Sequence, residues 1–260
     1  MGTDQETPAR IAGLPSPSIP SSLPPDELAR VLDETRARFV ATFVTDYDAI
    51  AALLEEALVH PASDPPTELT DRVHRLIGLA GTIGFPTISR RAADLESLLA
   101  AGVVDAPLAR VALEKMRRAF TNDLADAPAM AAPQSAPATG LTILLAEDHD
   151  DQRKILGVAL AHAGFLPIAL RSGEGVVERA RAERPALILL DIAMPALDGY
   201  SVCRLLKSDP ELSAIPVILM TTGANVRHRL AGLTLGADEV LSKPIDMREL
   251  ILRIRVRLGG

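Results

Sequence analysis

From residue 141 onward the chain is built of short apolar runs, LTILLA, PIAL, ALILLD, PVILMT and DEVLS, separated by segments each long enough for a helix. Near-continuous apolar strands are buried on both faces, and their alternation with helices predicts a parallel sheet covered on either side. The C-terminal half is thereby limited to an open, doubly wound α/β fold. Ligands of such folds bind beyond the carboxyl ends of the strands. Glu147 and Asp148 follow the first run, Asp191 ends the third, Thr221 ends the fourth, and Lys243 comes directly after the fifth.

Residues 25–126 carry helical periodicity only. Leu28, Val31, Leu32, Phe39 and Phe43 recur at three or four residues. A second helix is expected from Thr45, where Thr45 and Asp48 have capping-box spacing, through Ile50, Leu53, Leu54, Ala57 and Leu58 to the breaker HPASDPP. A third would bury Leu69, Val73, Leu76, Ala80 and Ile83. The fourth opens at Pro86, carries Ile88, Ala92, Leu95 and Leu99, and stops at Gly102; the fifth begins near Asp105 with Leu108, Val111, Met116 and Phe120. Amphipathic helices on short loops pack most simply as an all-α antiparallel bundle.

Residues 1–24, rich in Pro, Ser and Thr, predict a disordered leader, and the Ala/Pro-rich residues 127–140 predict a linker. If flexible, such a linker holds its ends about 20 Å apart, so contact between the two halves is possible without being compelled. The resulting division is 1–24, 25–126, 127–140 and 141–260.

An apolar content of 48% allows packed cores in both halves. No apolar run reaches membrane-spanning length, and the N-terminus lacks a secretory pattern, so a cytoplasmic chain with no membrane partner is expected. The lone Cys203 excludes an internal disulfide. The formal charge of −7 is confined to residues 1–140, while residues 141–260 balance to zero. Apart from Arg248, Arg253, Arg255 and Arg257 there is no basic surface, and no nucleic-acid partner is expected.

Phosphorylating a carboxylate requires a nucleophilic Asp, a divalent cation to screen negative charge, and a cationic side chain across the phosphoryl oxygens. The strand-end residues meet these needs: Asp191 as nucleophile, Glu147 and Asp148 for Mg²⁺, Lys243 to pair with the phosphoryl group, and Thr221 to hydrogen-bond it. The segments ILLAEDHDD, LILLDIAMPALDG, VILMTT and LSKPID resemble the receiver domain of two-component response regulators over residues 141–260. That resemblance implies a five-stranded sheet of order 2-1-3-4-5, Asp191 as phosphoacceptor, and the backbone carbonyl of Ala193 as a further metal ligand beside Glu147, Asp148 and Asp191. It also implies phosphohistidine as donor and catalysis of the domain's own phosphorylation and dephosphorylation, rather than enzyme activity on other substrates. Val240 stands where many receivers carry a switching aromatic, three residues before the lysine.

In the helical half, DRVHRLIGLAGTIGF sets His74 away from Val73, Leu76 and Ala80, with Gly78, Gly81 and Thr82 beside it. Glycine costs a helix about 1 kcal/mol relative to alanine, so two on one stripe suggest that something approaches closely, as a docking receiver would. An imidazole titrating near neutrality can accept a phosphoryl group on nitrogen and pass it to a carboxylate. HRLIGLAGTIG resembles the histidine phosphotransfer (HPt) domain through His74, Leu76, Gly78 and Gly84, with Ile77 in the family's lysine position. Arg75, Arg90 or Arg91 would then supply the missing charge. His60, His149, His162 and His228 join no metal-ligand spacing, and Cys203 reads as packing.

The leading expectation is a phosphorelay protein with His74 and Asp191 as phosphate stations. Its donor would be a histidine kinase or hybrid kinase, and its output would run through contact between residues 224–260 and a downstream protein. An alternative keeps only Asp191 active, with the helical domain used for docking or dimerisation. A Mg²⁺-dependent aspartyl phosphatase would need an acid two residues past the nucleophile, where this chain has Ala193.

Overall fold

The computed structural model describes residues 24, 26–60, 65–101, 105–126, 139–222 and 226–259. Residues 1–23 of the expected leader and most of the expected linker lie outside the described residues, as does the side chain of His228.

Among the described residues, the N-terminal half is a bundle of four helices, α1 (Glu27–Val59), α2 (Thr67–Thr82), α3 (Pro86–Leu99) and α4 (Ala106–Asp126). The break expected at Thr45 does not occur. No Gly or Pro interrupts Glu27–Val59, and the buried stripe Phe39, Phe43, Ile50, Leu54 stays in phase across that point, so the capping-box spacing has no chain turn to serve. Phe43 stacks on Phe120 at 4.0 Å between ring centroids, with Tyr47 one turn further along α1. A second correction concerns α4. Its buried face is Ala109, Ala112, Leu113, Met116 and Ala119, whereas Leu108 and Val111 are 53% and 48% exposed. Small alanines let α4 lie close against α3, which turns the larger residues outward. Asp123 on α4 accepts hydrogen bonds from the backbone N–H groups of Thr87 and Ile88, both 3.0 Å, and so caps α3 from a distance.

The C-terminal half is a five-stranded parallel sheet of β1 (Thr142–Ala146), β2 (Leu166–Leu170), β3 (Leu187–Asp191), β4 (Val217–Thr221) and β5 (Glu239–Ser242) in the order β2-β1-β3-β4-β5. Its helices are α5 (Asp150–His162), α6 (Val176–Glu183), α7 (Gly199–Ser208), α8 (Val226–Thr234) and α9 (Met247–Arg257). The period of two in the strands separates two cores. Leu144, Ile188, Leu190 and Leu219 pack with α6 and α7, while Ile143, Leu145, Leu189 and Met220 pack with α5 and α9. Cys203 is buried in the first of these, as packing.

The second core does not stop at α5, but runs on into the helical bundle as one apolar cluster. Helix α1 packs along α5, and α2 touches it as well. From Gln152 to His162 only Lys154 is exposed. A helix apolar all round is covered all round, and here the sheet covers one side of α5 and the bundle the other.

Candidate functional site

Each acidic residue is set at a strand end by backbone it cannot leave. Glu147 continues β1, and its N–H donates to the carbonyl of Leu170 on β2 at 3.1 Å. Arg153, itself buried, donates through Nη1 to the carbonyls of Glu147 at 2.9 Å and Asp148 at 3.1 Å, pinning the acidic turn from the first turn of α5. His149 caps that helix, its Nδ1 accepting from the Gln152 N–H. Asp191 is the last residue of β3 and is fully buried. Gly199 lies so close to the Asp191 carbonyl that any Cβ there would overlap it. Thr221 ends β4, and its carbonyl accepts from the N–H of Lys243, which precedes a cis bond to Pro244.

These elements converge. Lys243 Nζ lies 3.0 Å from Glu147 Oε2 and 3.0 Å from Asp191 Oδ1, with Gln152 Oε1 at 3.4 Å. Oxygens of Glu147, Asp148 and Asp191 all lie within 4.8 Å of one another, and Asp191 Oδ2 is buried without a hydrogen-bond partner. Burial pushes the Glu147 carboxyl up to about 7, against the opposing pull of Lys243. Burial and then the Asp191 charge raise Asp148. Burial works to lower the Lys243 ammonium, but Asp191 and Glu147 outweigh it and the net shift is upward. Three carboxylates around one buried cation leave a deficit of positive charge, and the compact, all-oxygen donor set is the kind that Mg²⁺ takes.

On the helical side, His74 Nδ1 lies 2.9 Å from Glu96 Oε1 on α3 and 3.1 Å from Thr222 Oγ1 of the other domain. The Thr222 hydroxyl donates to the same Glu96 oxygen at 3.2 Å. A carboxylate only accepts, so this arrangement keeps the imidazole proton on Nδ1 and leaves the lone pair on Nε2. Nε2 is buried and has no hydrogen-bond partner. His74, Arg75, Asp148, Ala193, Met194 and Pro195 share the lining of a cavity of about 430 Å³. The side chain of His74 is only 18% exposed. Both glycines beside it are occupied as a close approach requires: a Cβ on Gly78 would fall 2.5 Å from Gln152 Oε1, and one on Gly81 would overlap Pro244.

Ile77, in the family's lysine position, is fully buried in the bundle, where an ammonium would be costly. Of the arginines offered as substitutes, Arg75 lines the shared cavity, whereas Arg91 pairs with Asp94. Sequence reasoning missed Glu96, Thr222, Gln152 and Arg153. Glu96 lies 22 residues from His74 on another helix, and no local spacing announces that pairing.

Residues 38–129 match the Hpt domain model, and residues 143–255 match the response regulator receiver domain model. Among curated proteins, the transcriptional regulatory protein GltR of Pseudomonas aeruginosa is 36% identical over 121 residues, covering 46% of this chain and 50% of that protein. The probable transcriptional regulator ycf27 of Guillardia theta is 38% identical over 116 residues, covering 45% and 44%. The chain thus spans about half the length of the curated relatives it matches. Among solved structures, the signal receiver domain of a histidine kinase from Syntrophus aciditrophicus is 36% identical, with 46% of this chain and 92% of that one covered and a TM-score of 0.44. The receiver domain of the sensor kinase PA1611 from Pseudomonas aeruginosa, solved with magnesium in its active-site cleft, is 29% identical, covers 47% of this chain and 100% of that one, and has a TM-score of 0.44. No helix among the described residues is long and apolar enough to cross a membrane. In chain order, then, this protein carries an Hpt domain over residues 38–129 and a response regulator receiver domain over residues 143–255.

Proposed function

We propose that His74 and Asp191 are the two phosphate stations of this relay, Asp191 accepting the group as an acyl phosphate and His74 carrying it on Nε2. The reading rests on one observation above the others: on either side of the domain seam, a buried nucleophilic atom, His74 Nε2 and Asp191 Oδ2, lacks a hydrogen-bond partner. Buried polar atoms are normally satisfied, and exceptions concentrate where a reacting group is to be received. Glu147, Asp148 and Asp191 would hold Mg²⁺, with the Ala193 carbonyl as a further ligand by family resemblance. When bound, the ion supplies positive charge against the phosphoryl oxygens.

In the transfer, an Asp191 carboxylate oxygen forms a bond to phosphorus as the bond from Nε2 breaks, and the bonding pair returns to the ring. Glu96 keeps the proton on Nδ1, so the leaving imidazole departs neutral. Lys243 would pair with one phosphoryl oxygen and Thr221 hydrogen-bond another. Receiver chemistry of this kind extends to the domain's own dephosphorylation, with no other substrate. Phosphate would come from the phosphohistidine of a histidine kinase or hybrid kinase, and the relay would work in the cytoplasm. Output would run through a downstream protein rather than nucleic acid. On the α9 face Leu252 and Val256 are exposed, while Arg253 and Arg257 are drawn into ion pairs with Glu239, so that surface is less basic than its sequence suggests.

A time course from a labelled phosphodonor to wild type, His74→Gln and Asp191→Asn chains tests the scheme. Acid-labile label on the Asn variant and hydroxylamine-sensitive label on the Gln variant are expected. Identical label on wild type and His74→Gln, with none on Asp191→Asn, would favour the reading in which only Asp191 is active. Glu96→Ala is expected to slow transfer at His74 about tenfold, the effect of losing one charge-assisted hydrogen bond of about 1.5 kcal/mol. Its signature is a shift of the imidazole tautomer ratio in ¹³C spectra. An unchanged ratio would remove Glu96 from the mechanism.

A further inference from the structure

The covered face of α5 and the occupied glycines of α2 point to more than two modules on one string. Resting on the assignment of His74 and Asp191 as stations, we propose that the two domains of a single chain are each other's docking partner, so that the phosphoryl group passes between His74 and Asp191 in cis. In that closed form the pair is shut against outside proteins.

Four features support the closed arrangement, and none is a phosphate contact. The apolar core is continuous from the bundle through α5 to the sheet, so separating the halves would expose α5 residues that are not amphipathic. Gly81 admits Pro244 at a distance no side chain would allow, and Gly78 faces the tip of the Gln152 side chain. Arg38 on α1 pairs with Asp151 at the start of α5. Thr222 bridges His74 and Glu96 across the seam. The stripe of small residues is therefore filled by the chain's own receiver.

Closure has a functional cost and a benefit. With Asp191 fully buried and His74 only 18% exposed, neither is open to a kinase or a second acceptor while the domains are together. Exchange with other proteins then belongs to an open form, and internal transfer to the closed one. Joining the two domains in one chain supplies an effective concentration of about 1 mM, so at about 10 µM chain the reaction between separate chains should run about a hundredfold slower than within one.

Two measurements on full-length protein test this. The first is amide hydrogen exchange over α5 and residues 241–247, without phosphate. Gly81→Leu, which drives a side chain into Pro244, is expected to raise exchange there relative to wild type. Because Gly81 also lies near Ser89 of its own bundle, a second series uses Arg38→Glu, which should also raise exchange, and Arg38→Glu with Asp151→Arg, which should restore it. Equal exchange in all four chains overturns the docking. The second measurement follows label from His74 to Asp191. Wild type should show a first-order rate independent of concentration, and Asp191→Asn chains loaded on His74 should feed His74→Gln chains about a hundredfold more slowly at about 10 µM. A wild-type rate proportional to concentration overturns transfer in cis. Absence of label on His74 in the Asn variant would sink the station assignment and the transfer claim together, whereas the exchange result stands apart from it.

Discussion

Asp191→Asn is expected to bring hydroxylamine-sensitive label to background while the protein stays folded and becomes no less stable. The amide oxygen is a poor nucleophile, and the neighbouring carboxylates have other partners: Glu147 is engaged by Lys243, and Asp148 belongs to the acidic cluster that would hold the metal. The stability half of the prediction follows from charge. Three carboxylates within 4.8 Å repel one another; burial raises both Glu147 and Asp148 most, and the Asp191 charge raises both further. Neutralising one of them removes repulsion and leaves Lys243 still paired with Glu147, so a gain of about 1 kcal/mol is expected, in line with the usual trade between activity and stability at such sites. Denaturant midpoints measured without Mg²⁺ check this half, and hydroxylamine release of label checks the other. Persistent hydroxylamine-sensitive label would assign the nucleophile elsewhere.

The sheet was legible because each strand is a near-continuous apolar run, and in a parallel sheet the functional residues follow directly from strand ends. Glu147, Asp148, Asp191 and Lys243, which the structure brings together, could therefore be located from the strand ends, whereas their proposed roles came from residue chemistry and family resemblance. The helical half was less legible. A capping-box spacing at Thr45 looked like a helix start, but the apolar phase from Phe43 to Ile50 carried α1 straight through it. On α4 the larger residues Leu108 and Val111 outweighed the alanines in the sequence, although the alanines form the packed face. Glu96 and Thr222 were invisible for another reason: both act on His74 across long sequence separations, one between helices and one between domains. The apolar run ILGVALAHAG did hold a signal that was not used. A helix with no polar face must be covered twice, and that already implied a partner for α5.

Lys243→Met is expected to destabilise the protein by about 3 kcal/mol near pH 8 without metal, and by clearly less near pH 5.5, because it strips the cation from a buried cluster of carboxylates while keeping most of the side-chain volume. Lys243 lies 3.0 Å from both Glu147 and Asp191 and is 1% exposed, so its charge has no solvent substitute. The sign with pH follows from Glu147. Its folded value, about 7, lies above the 4.5 of the ordinary carboxyl, so folding favours the protonated form: the contribution is full below about 4.5 and is lost as pH rises through about 7. Lys243 holds that value down, and without it the carboxyl rises further, extending the loss to higher pH. Added Mg²⁺ should recover part of the stability, since a divalent ion would replace the missing charge at the same oxygens. Denaturant midpoints at the two pH values, with and without Mg²⁺, decide the matter. A loss independent of pH would mean that Lys243 serves packing rather than charge, and would remove the electrostatic basis on which it was placed opposite the phosphoryl group.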